Sequence, residues 1–194
     1  ERNRTMVAKE EKKIVDAARK GDKQAFEKLV KAHSKKIYHT ALHLIADHDE
    51  AKDLTQETFV KAYRAIDRFD GRSSFMTWIY RILVNLSLNR RKELARTRPG
   101  KLRDQRIQTF IMDKTNRDED NPERQVANRR TIEALSKAID ELSEVLRTTL
   151  VLVVFQNVDY RQASEILGCS EGTVAWRVFR AREILREKLK GHLT

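Results

Sequence analysis

The pattern of apolar positions predicts helices at both ends of the chain and a different middle. Apolar side chains recur at helical spacing over residues 10–93 and again over residues 128–192. That spacing places them along one side of each helix. Residues 95–127 break the pattern and contain both prolines. We therefore expect two helical regions joined by a segment without a core of its own.

Start and stop signals divide each helical region into about four helices. Glycine ends a helix, and a short polar side chain accepts backbone N–H groups where a helix begins. The β-branched run at residues 150–155 is compatible with a buried strand, but no partner strand is evident, so a buried helical segment is expected. The expected signals in the first region are the stops Gly21 and Gly71 and the caps Asp22, Asp47 or Asp49, and Ser73 or Ser74.

The strongest local pattern lies at residues 159–183 and predicts a helix-turn-helix. Asp159 followed three residues later by Gln162 is typical of a capping box. Gly168 suits a helix end in the left-handed conformation, and Ser170 can cap a second helix. A short helix, a turn that contains glycine and a second, capped helix together form the helix-turn-helix, a DNA-binding motif. The side chains expected to share its core are Ala163, Ile166, Leu167, Val174, Val178, Ala181 and Leu185.

Composition and charge narrow the function. Only 6 Gly and 2 Pro occur in 194 residues, too few for the turns of a β-rich chain. The excess of 40 Lys and Arg over 29 Asp and Glu gives a net charge of +11, which favours a polyanion partner. Nucleic acid is the simplest such partner, and an acidic membrane surface is the weaker alternative. The second helix of the motif is itself basic, which favours binding to DNA. The alternative is that it is simply a solvent-exposed basic helix in an ordinary helical bundle.

The middle segment has few large apolar groups, a basic first part and an acidic second part. We interpret it as an extended or partly disordered tether, with an ordered loop-and-helix connection as the alternative. The acidic part could mimic nucleic-acid charge or be merely solvated.

Catalytic and metal signatures are weak. His39 and His43 can share one helix face, but a zinc site needs further ligands, and no HExxH or phosphate-binding glycine loop occurs. The single Cys169 excludes an internal disulfide and is read as a small buried apolar residue. No apolar run is long enough to cross a bilayer. We expect no enzyme activity, cofactor, metal or membrane insertion, and a cytoplasmic location.

Three segments, in this order and spacing, resemble the extracytoplasmic-function (ECF) sigma factors, two-domain members of the bacterial sigma-70 family. They are DLTQETFVKAYRA at 53–65, FDGRSSFMTWIYRI at 69–82, and GTV at 172–174 followed by Arg177 and RAR at 180–182. The resemblance implies an all-α fold of two small bundles: an N-terminal domain over 10–94, a flexible linker over 95–127, and a C-terminal helix-turn-helix domain over 128–192. It also implies a chain that binds core RNA polymerase, selects promoters and helps to melt them, under an anti-sigma factor.

The resemblance assigns a role to each segment. The first grips the clamp helices of the beta-prime subunit, although a solvated helix face is the alternative; the C-terminal domain meets the beta flap. The second segment and its helix bind and melt the minus-10 element, where Phe75 and Trp78 suit core packing better than base stacking. The tether threads near the polymerase active centre. The implied polymerase-binding residues are Asp53, Gln56, Glu57, Phe59 and Lys61, and the minus-10 residues are Phe69, Gly71, Arg72, Ser73, Ser74, Arg81, Asn85, Asn89 and Arg90.

The helix from Glu171 resembles the reader of the minus-35 element. Ala175 and Trp176 stand where family members often carry a basic residue and then Ser, so base preference there is open. The implied contact residues are Ser170, Glu171, Thr173, Ala175, Trp176, Arg177, Phe179 and Arg180.

Two other classes of function compete with this interpretation. A helix-turn-helix transcriptional regulator with a helical sensor domain would bind promoters stably without polymerase. A basic RNA-modifying enzyme would need the catalytic set that the sequence lacks. A test for promoter-specific transcription with core polymerase would distinguish these three functions.

Overall fold

The computed structural model describes residues 2–97, 134, 135 and 137–190, and this part of the chain is helical without strands. Residues 98–127 of the expected linker lie outside the described residues. The helix before them continues three residues into the expected linker. The helices are α1 Arg2–Arg19, α2 Lys23–Ile45, α3 His48–Ala65, α4 Phe75–Thr97, α5 Glu144–Leu150, α6 Tyr160–Leu167 and α7 Glu171–Leu189, with a 3-10 turn at Ile66–Arg68 and a π-helical segment at Val151–Phe155.

The predicted caps of the N-terminal region are confirmed. The Asp22 carboxylate accepts the Ala25 N–H at 3.0 Å, and Asp47 accepts two N–H groups at the start of α3. Ser74 Oγ accepts the Thr77 N–H at 3.0 Å, so Ser74 caps α4. Each cap satisfies a backbone donor that has no partner within its own helix. Gly71 has φ +73, which permits the sharp turn before α4.

Helices α2, α3 and α4 pack around one apolar interior. Its fully buried side chains come from all three helices, and α1 adds Val15 and Ala18. Phe69, Phe75 and Trp78 form an aromatic cluster at the start of α4, with the Phe69 and Trp78 ring centroids 5.1 Å apart. This cluster fixes the loop at residues 69–74 to the helix bundle. The largest fully buried side chains here are Leu29, Ile37, Ile45, Leu54, Ile79 and Leu83.

The β-branched run at residues 150–155 is helical, as expected, but with π geometry. Val151 and Leu152 are fully buried, and the segment ends with Asn157 in a left-handed conformation at φ +54. The Val158 N–H bonds to the Leu152 carbonyl at 3.0 Å and closes the turn into α6. Two branches at Cβ crowd the neighbouring turn of a regular α-helix, and a wider turn relieves that crowding. The strand alternative is therefore excluded.

The helix-turn-helix prediction is confirmed by its local geometry. Asp159 accepts the Gln162 N–H at 2.7 Å and Ser170 accepts the Thr173 N–H at 3.1 Å. Gly168 ends α6 with φ +63. The expected core is present: five of its members are buried and two are partly buried. The buried members are Ala163, Ile166, Val174, Val178 and Ala181, and the partly buried ones are Leu167 and Leu185.

The two helical regions also pack against each other. One continuous apolar cluster includes the interior of the N-terminal bundle together with Val151, Leu152 and the α6–α7 core. A smaller cluster joins Leu142, Leu146 and Ala181 within the C-terminal region. The sequence predicted two bundles, and the structure adds their mutual contact.

The cap at Ser74 gives a direct test of this local structure. Ser74→Ala is expected to lower the free energy of unfolding by about 1 kcal/mol, because the Thr77 N–H loses its acceptor. Ser73→Ala is the matched control, since among the described residues the Ser73 hydroxyl bonds only to its neighbour's carbonyl, at 3.4 Å. Urea titration of both variants checks the result. Equal losses for the two serines would contradict the cap assignment.

Candidate nucleic-acid and polymerase interface

The outer face of α3 carries the residues that the sequence assigned to polymerase. Asp53, Gln56 and Lys61 are exposed, and Glu57 is partly buried. Phe59 is only 7% exposed and packs in the core, so the structure places it behind this face. Helical periodicity at residues 51, 54, 58, 59 and 62 could have shown this. Val60 and Tyr63 are instead the exposed apolar side chains of α3.

Arg90 connects this face to α4. Its guanidinium pairs with Glu50, lies 3.5 Å from a Glu57 oxygen and lies 3.8 Å from a Glu93 oxygen. Burial acts to lower the pKa of Arg90, but the hydrogen bond and charge of Glu50, helped by Glu57 and Glu93, raise the pKa above its ordinary value. The arrangement ties the proposed polymerase-binding and melting helices together. Glu50 was missed by sequence reasoning.

The loop at residues 69–74 presents backbone and small polar groups rather than an aromatic ring. Phe69 is 4% exposed and packs on Trp78, and Phe75 is buried as expected for core packing. Gly71 and Arg72 are exposed. The Asp70 carboxylate accepts the backbone N–H of Arg72 at 3.0 Å and pairs with the Arg72 guanidinium at 3.3 Å. The ring of Phe69 is therefore not presented to a ligand in this conformation.

Helix α4 carries an exposed polar stripe beyond this loop. Arg81, Asn85 and Asn89 are exposed and follow one another at four-residue spacing, which places them on one side of the helix. The Arg81 guanidinium donates to the Glu165 carbonyl of α6 at 2.8 Å. The structure thus brings three of the predicted minus-10 residues onto one face and shows one of them engaged by the C-terminal region.

The second helix of the motif, α7, presents aromatic and cationic side chains to solvent. Trp176 and Phe179 are each 61% exposed, more than any other large apolar side chain described. Arg180 is exposed beside them and pairs locally with Glu183 at 3.1 Å. Arg177 is partly withdrawn, with its guanidinium 3.5 Å from the Cys169 sulfur.

The remaining predicted residues of this helix lie at its N-terminus. Ser170 and Glu171 are exposed, and Thr173 and Ala175 are partly exposed. The Ser170 hydroxyl also lies 2.8 Å from the Thr173 hydroxyl, so both are engaged in capping. The cap leaves Glu171 as the exposed polar side chain at this N-terminus, where its carboxylate could accept from a base amino group.

A cluster of charges that sequence reasoning missed lies where the two regions meet. Arg91 pairs with Glu144 at 3.3 Å and donates to the Leu44 carbonyl at 3.0 Å. Burial lowers the pKa of Arg91, although Glu144 and Asp140 oppose the shift. Burial, with the nearby charge of Arg91, lowers the pKa of Arg147 to about 10. No local sequence pattern relates Arg91 to the other three residues, because Arg91 is far from them along the chain.

Other kinds of site have little support in the part of the chain that is described. No cluster of three or more His, Cys, Asp or Glu side chains there could hold a metal ion. None of the described helices is both long enough and apolar enough to span a bilayer.

Comparison with known proteins agrees with this architecture. The family model of sigma-70 region 2 matches residues 29–97, and that of sigma-70 region 4 matches residues 132–185. The fold is similar to that of CnrH in complex with the cytosolic domain of CnrY, with a TM-score of 0.67 and 24% identity over 92% of this chain and 96% of that one. It is also similar to the sigma factor RpoE in complex with the anti-sigma factor NepR from Bartonella quintana, with a TM-score of 0.61, 24% identity, and coverage of 85% and 96%.

Full-length relatives are more similar in sequence. The RNA polymerase sigma-H factor of Pseudomonas aeruginosa is 33% identical over 186 residues, which is 95% of this chain and 96% of that protein. The ECF RNA polymerase sigma-E factor of Haemophilus influenzae is 33% identical over 178 residues, covering 91% and 94%. Members of this family bind core RNA polymerase and start transcription at promoters. Both sigma regions occur in order, the second of them carries the helix-turn-helix, and the chain belongs to the ECF sigma factors of the sigma-70 family.

Proposed function

We propose that the two helical regions of this sigma factor contact different elements of one promoter while α3 holds core RNA polymerase. The observation that carries this proposal is the exposed face of α7, where Trp176, Phe179 and Arg180 stand out from a capped helix-turn-helix. Such a helix fits the major groove, with Arg suited to a guanine edge or a phosphate and aromatic carbon suited to thymine methyl groups. This face is proposed as the minus-35 reader.

The minus-10 role is proposed for the loop at residues 69–74 and the polar stripe of α4. Melting a duplex requires a site that holds an unstacked base. The exposed backbone at Gly71, the hydroxyl groups beside it and the amide of Asn85 supply such donors and acceptors. Arg81 and Asn89 lie along the same helix, where they can follow the backbone of the separated strand. The buried Phe69 and Phe75 support the loop from behind.

Polymerase binding is proposed for the outer face of α3. Asp53, Gln56 and Lys61 provide exposed polar groups, and Val60 and Tyr63 provide exposed apolar area between them. A mixed surface of this kind suits a partner helix, such as the clamp helices of the beta-prime subunit. Phe59 supports this face from the core rather than contacting the partner.

Further partners follow from the same proposal. CnrH and RpoE were each solved with a second protein, named as an anti-sigma factor in the case of RpoE. We infer that an anti-sigma factor controls this chain as well, and that the C-terminal domain meets the beta flap. The chain acts by binding, with no catalysis of its own, beside the polymerase in the cytoplasm.

Association with core polymerase tests the role of α3. Asp53→Lys reverses an exposed charge on the proposed face and is expected to weaken association about tenfold, since a charge complementary to the partner is replaced by its opposite. Asp16→Lys on α1 is the charge-matched control, because within the described part of the chain Asp16 pairs only with Arg19, one turn away. Titration of labelled chain with core polymerase checks both. Equal affinities for the two variants would contradict the assignment of α3.

A further inference from the structure

The outward side of α7 carries a large aromatic ring at its centre. The buried residues of this helix, Val174, Val178 and Ala181, define its inner side. With about 3.6 residues per turn, Trp176 lies almost opposite to them, and it is 61% exposed. Phe179, exposed to the same extent, lies one turn further along that side. The two rings add nothing to the core of the chain and form an exposed apolar patch, which marks a binding surface.

The two residues next to Trp176 in the sequence offer little competing hydrogen bonding. Ala175 has no polar atom in its side chain. Arg177 is only partly exposed, and its guanidinium is directed to the Cys169 sulfur at 3.5 Å. The basic residue and the serine that the family often carries at positions 175 and 176 are replaced here by a methyl group and an indole. The centre of this surface is therefore mostly carbon.

The chemistry of an indole matches one base edge of the major groove better than the other three. Tryptophan has one N–H donor, no acceptor and a wide apolar surface. Thymine presents one acceptor, O4, beside its 5-methyl group. Cytosine presents an amino donor and adenine adds one to its N7 acceptor, and the indole can accept from neither. Guanine presents two acceptors and no methyl group, which suits arginine. The indole therefore favours thymine.

The position of Arg180 limits where that thymine can lie. Arg180 is exposed and follows Trp176 by four residues, so both lie on the outward side of α7. Four residues of helix span about 6 Å along the helix axis. Successive base pairs are about 3.4 Å apart along the duplex. A thymine that contacts Trp176 therefore lies within about two base pairs of a guanine that contacts Arg180.

We propose that Trp176 is a specificity-determining residue of this sigma factor, which selects a thymine in the minus-35 element through its 5-methyl group. The proposal rests on the minus-35 role given above to α7 and deepens it, because it names the base and the atoms that this residue contacts. Cytosine at the same position is rejected, since it has hydrogen in place of the methyl group and an amino donor in place of O4. The base preference left open by Ala175 and Trp176 is thereby assigned.

Exchange of thymine for uracil tests this proposal, because it removes one methyl group and leaves the hydrogen-bonding groups of the base in place. The full-length chain first selects its tightest duplex from a randomised pool, and each thymine of that duplex is then replaced in turn. Trp176→Ser removes the indole, whereas Trp176→Phe keeps aromatic carbon. Val145→Ser is the control, because it removes an apolar side chain that is 51% exposed on α5, outside the helix-turn-helix. Thermal melts confirm that each variant folds.

The readout is the ratio of affinities for the thymine and uracil duplexes. At one thymine we expect uracil to weaken binding about fourfold for the unmodified chain, Trp176→Phe and Val145→Ser, the loss typical of one buried methyl group. Trp176→Ser should bind the two duplexes equally.

Three results would count against the proposal. Equal binding of both duplexes by the unmodified chain, with a retained preference over a scrambled duplex, would overturn the methyl contact and leave the minus-35 role intact. An undiminished fourfold ratio in Trp176→Ser would assign that contact to another residue. A pool from which no sequence is enriched would show that the minus-35 role itself fails, and the proposal with it.

Discussion

Arg180→Ala is expected to weaken binding to a minus-35 duplex by about 10- to 100-fold, the loss typical of removing one base-reading arginine. Arg180 is exposed on α7 beside Trp176 and Phe179, and among the described residues it pairs only with Glu183, one turn away. A local pair of this kind is weak and is readily exchanged for a base edge or phosphate. Fluorescence anisotropy with labelled duplex measures the change.

The control for this prediction is Arg19→Ala. Arg19 pairs locally with Asp16 on α1, so this variant removes the same charge from a surface outside the proposed DNA face. We expect it to lose only the small, sequence-independent part of the affinity. A similar loss for both variants, or the same loss on a scrambled duplex, would show that Arg180 contributes charge and not sequence reading.

Ile79→Ala is expected to lower the free energy of unfolding by about 2–5 kcal/mol. Ile79 is fully buried in α4, within the apolar cluster that runs through both regions. Removing its side chain leaves a cavity that the surrounding helices fill only in part. Urea titration followed by circular dichroism measures the loss.

Val60→Ala provides the comparison for this core substitution. This substitution also removes apolar volume, but Val60 is 47% exposed on α3. We therefore expect the free energy of unfolding to change by no more than about 0.5 kcal/mol. If Val60→Ala proved as costly as Ile79→Ala, the described packing of α3 and α4 would be incorrect. The position of Val60 on the proposed polymerase face does not affect this measurement on the isolated chain.

Local features of the fold were predictable from the sequence because their causes are local. Asp22, Ser170 and Gly168 act on residues within one helical turn, so their spacing alone indicates helix boundaries. The run at residues 150–155 was ambiguous in residue type, and only the absence of a partner strand indicated a helix. Its π geometry was not predictable, because residue type indicated a helix without fixing its hydrogen-bonding pattern.

The candidate site was predictable only in part. Motif matching alone did not show that Phe59 and Phe69 face inward, because a motif records residue type and not which side chains face the core. The contacts of Arg81 with Glu165 and of Arg91 with Glu144 join residues far apart in sequence. Nothing in the local pattern relates such pairs, since they arise from how the two regions pack.

Arg90 links α3, which is proposed to dock on polymerase, to α4, which is proposed to melt the promoter. Its carboxylate partners Glu50 and Glu57 lie on α3, while Arg90 itself lies on α4 next to the polar stripe. A shift of α3 on docking would therefore move the carboxylates that bind Arg90. Through Arg90 it would alter the position of α4, the helix that is proposed to hold the separated strand. The pair is partly buried, so solvent screens it less than an exposed pair.

Run-off transcription with purified core polymerase tests the central claim most directly. Core polymerase and this chain are incubated with a pool of promoter fragments, and the fragments that yield transcripts are recovered. We predict initiation that depends on the chain, from fragments sharing two spaced elements, and its loss in the Arg180→Ala variant. Stable footprints on DNA by the chain alone, with no initiation at any fragment in the pool, would contradict this account and favour a helix-turn-helix regulator.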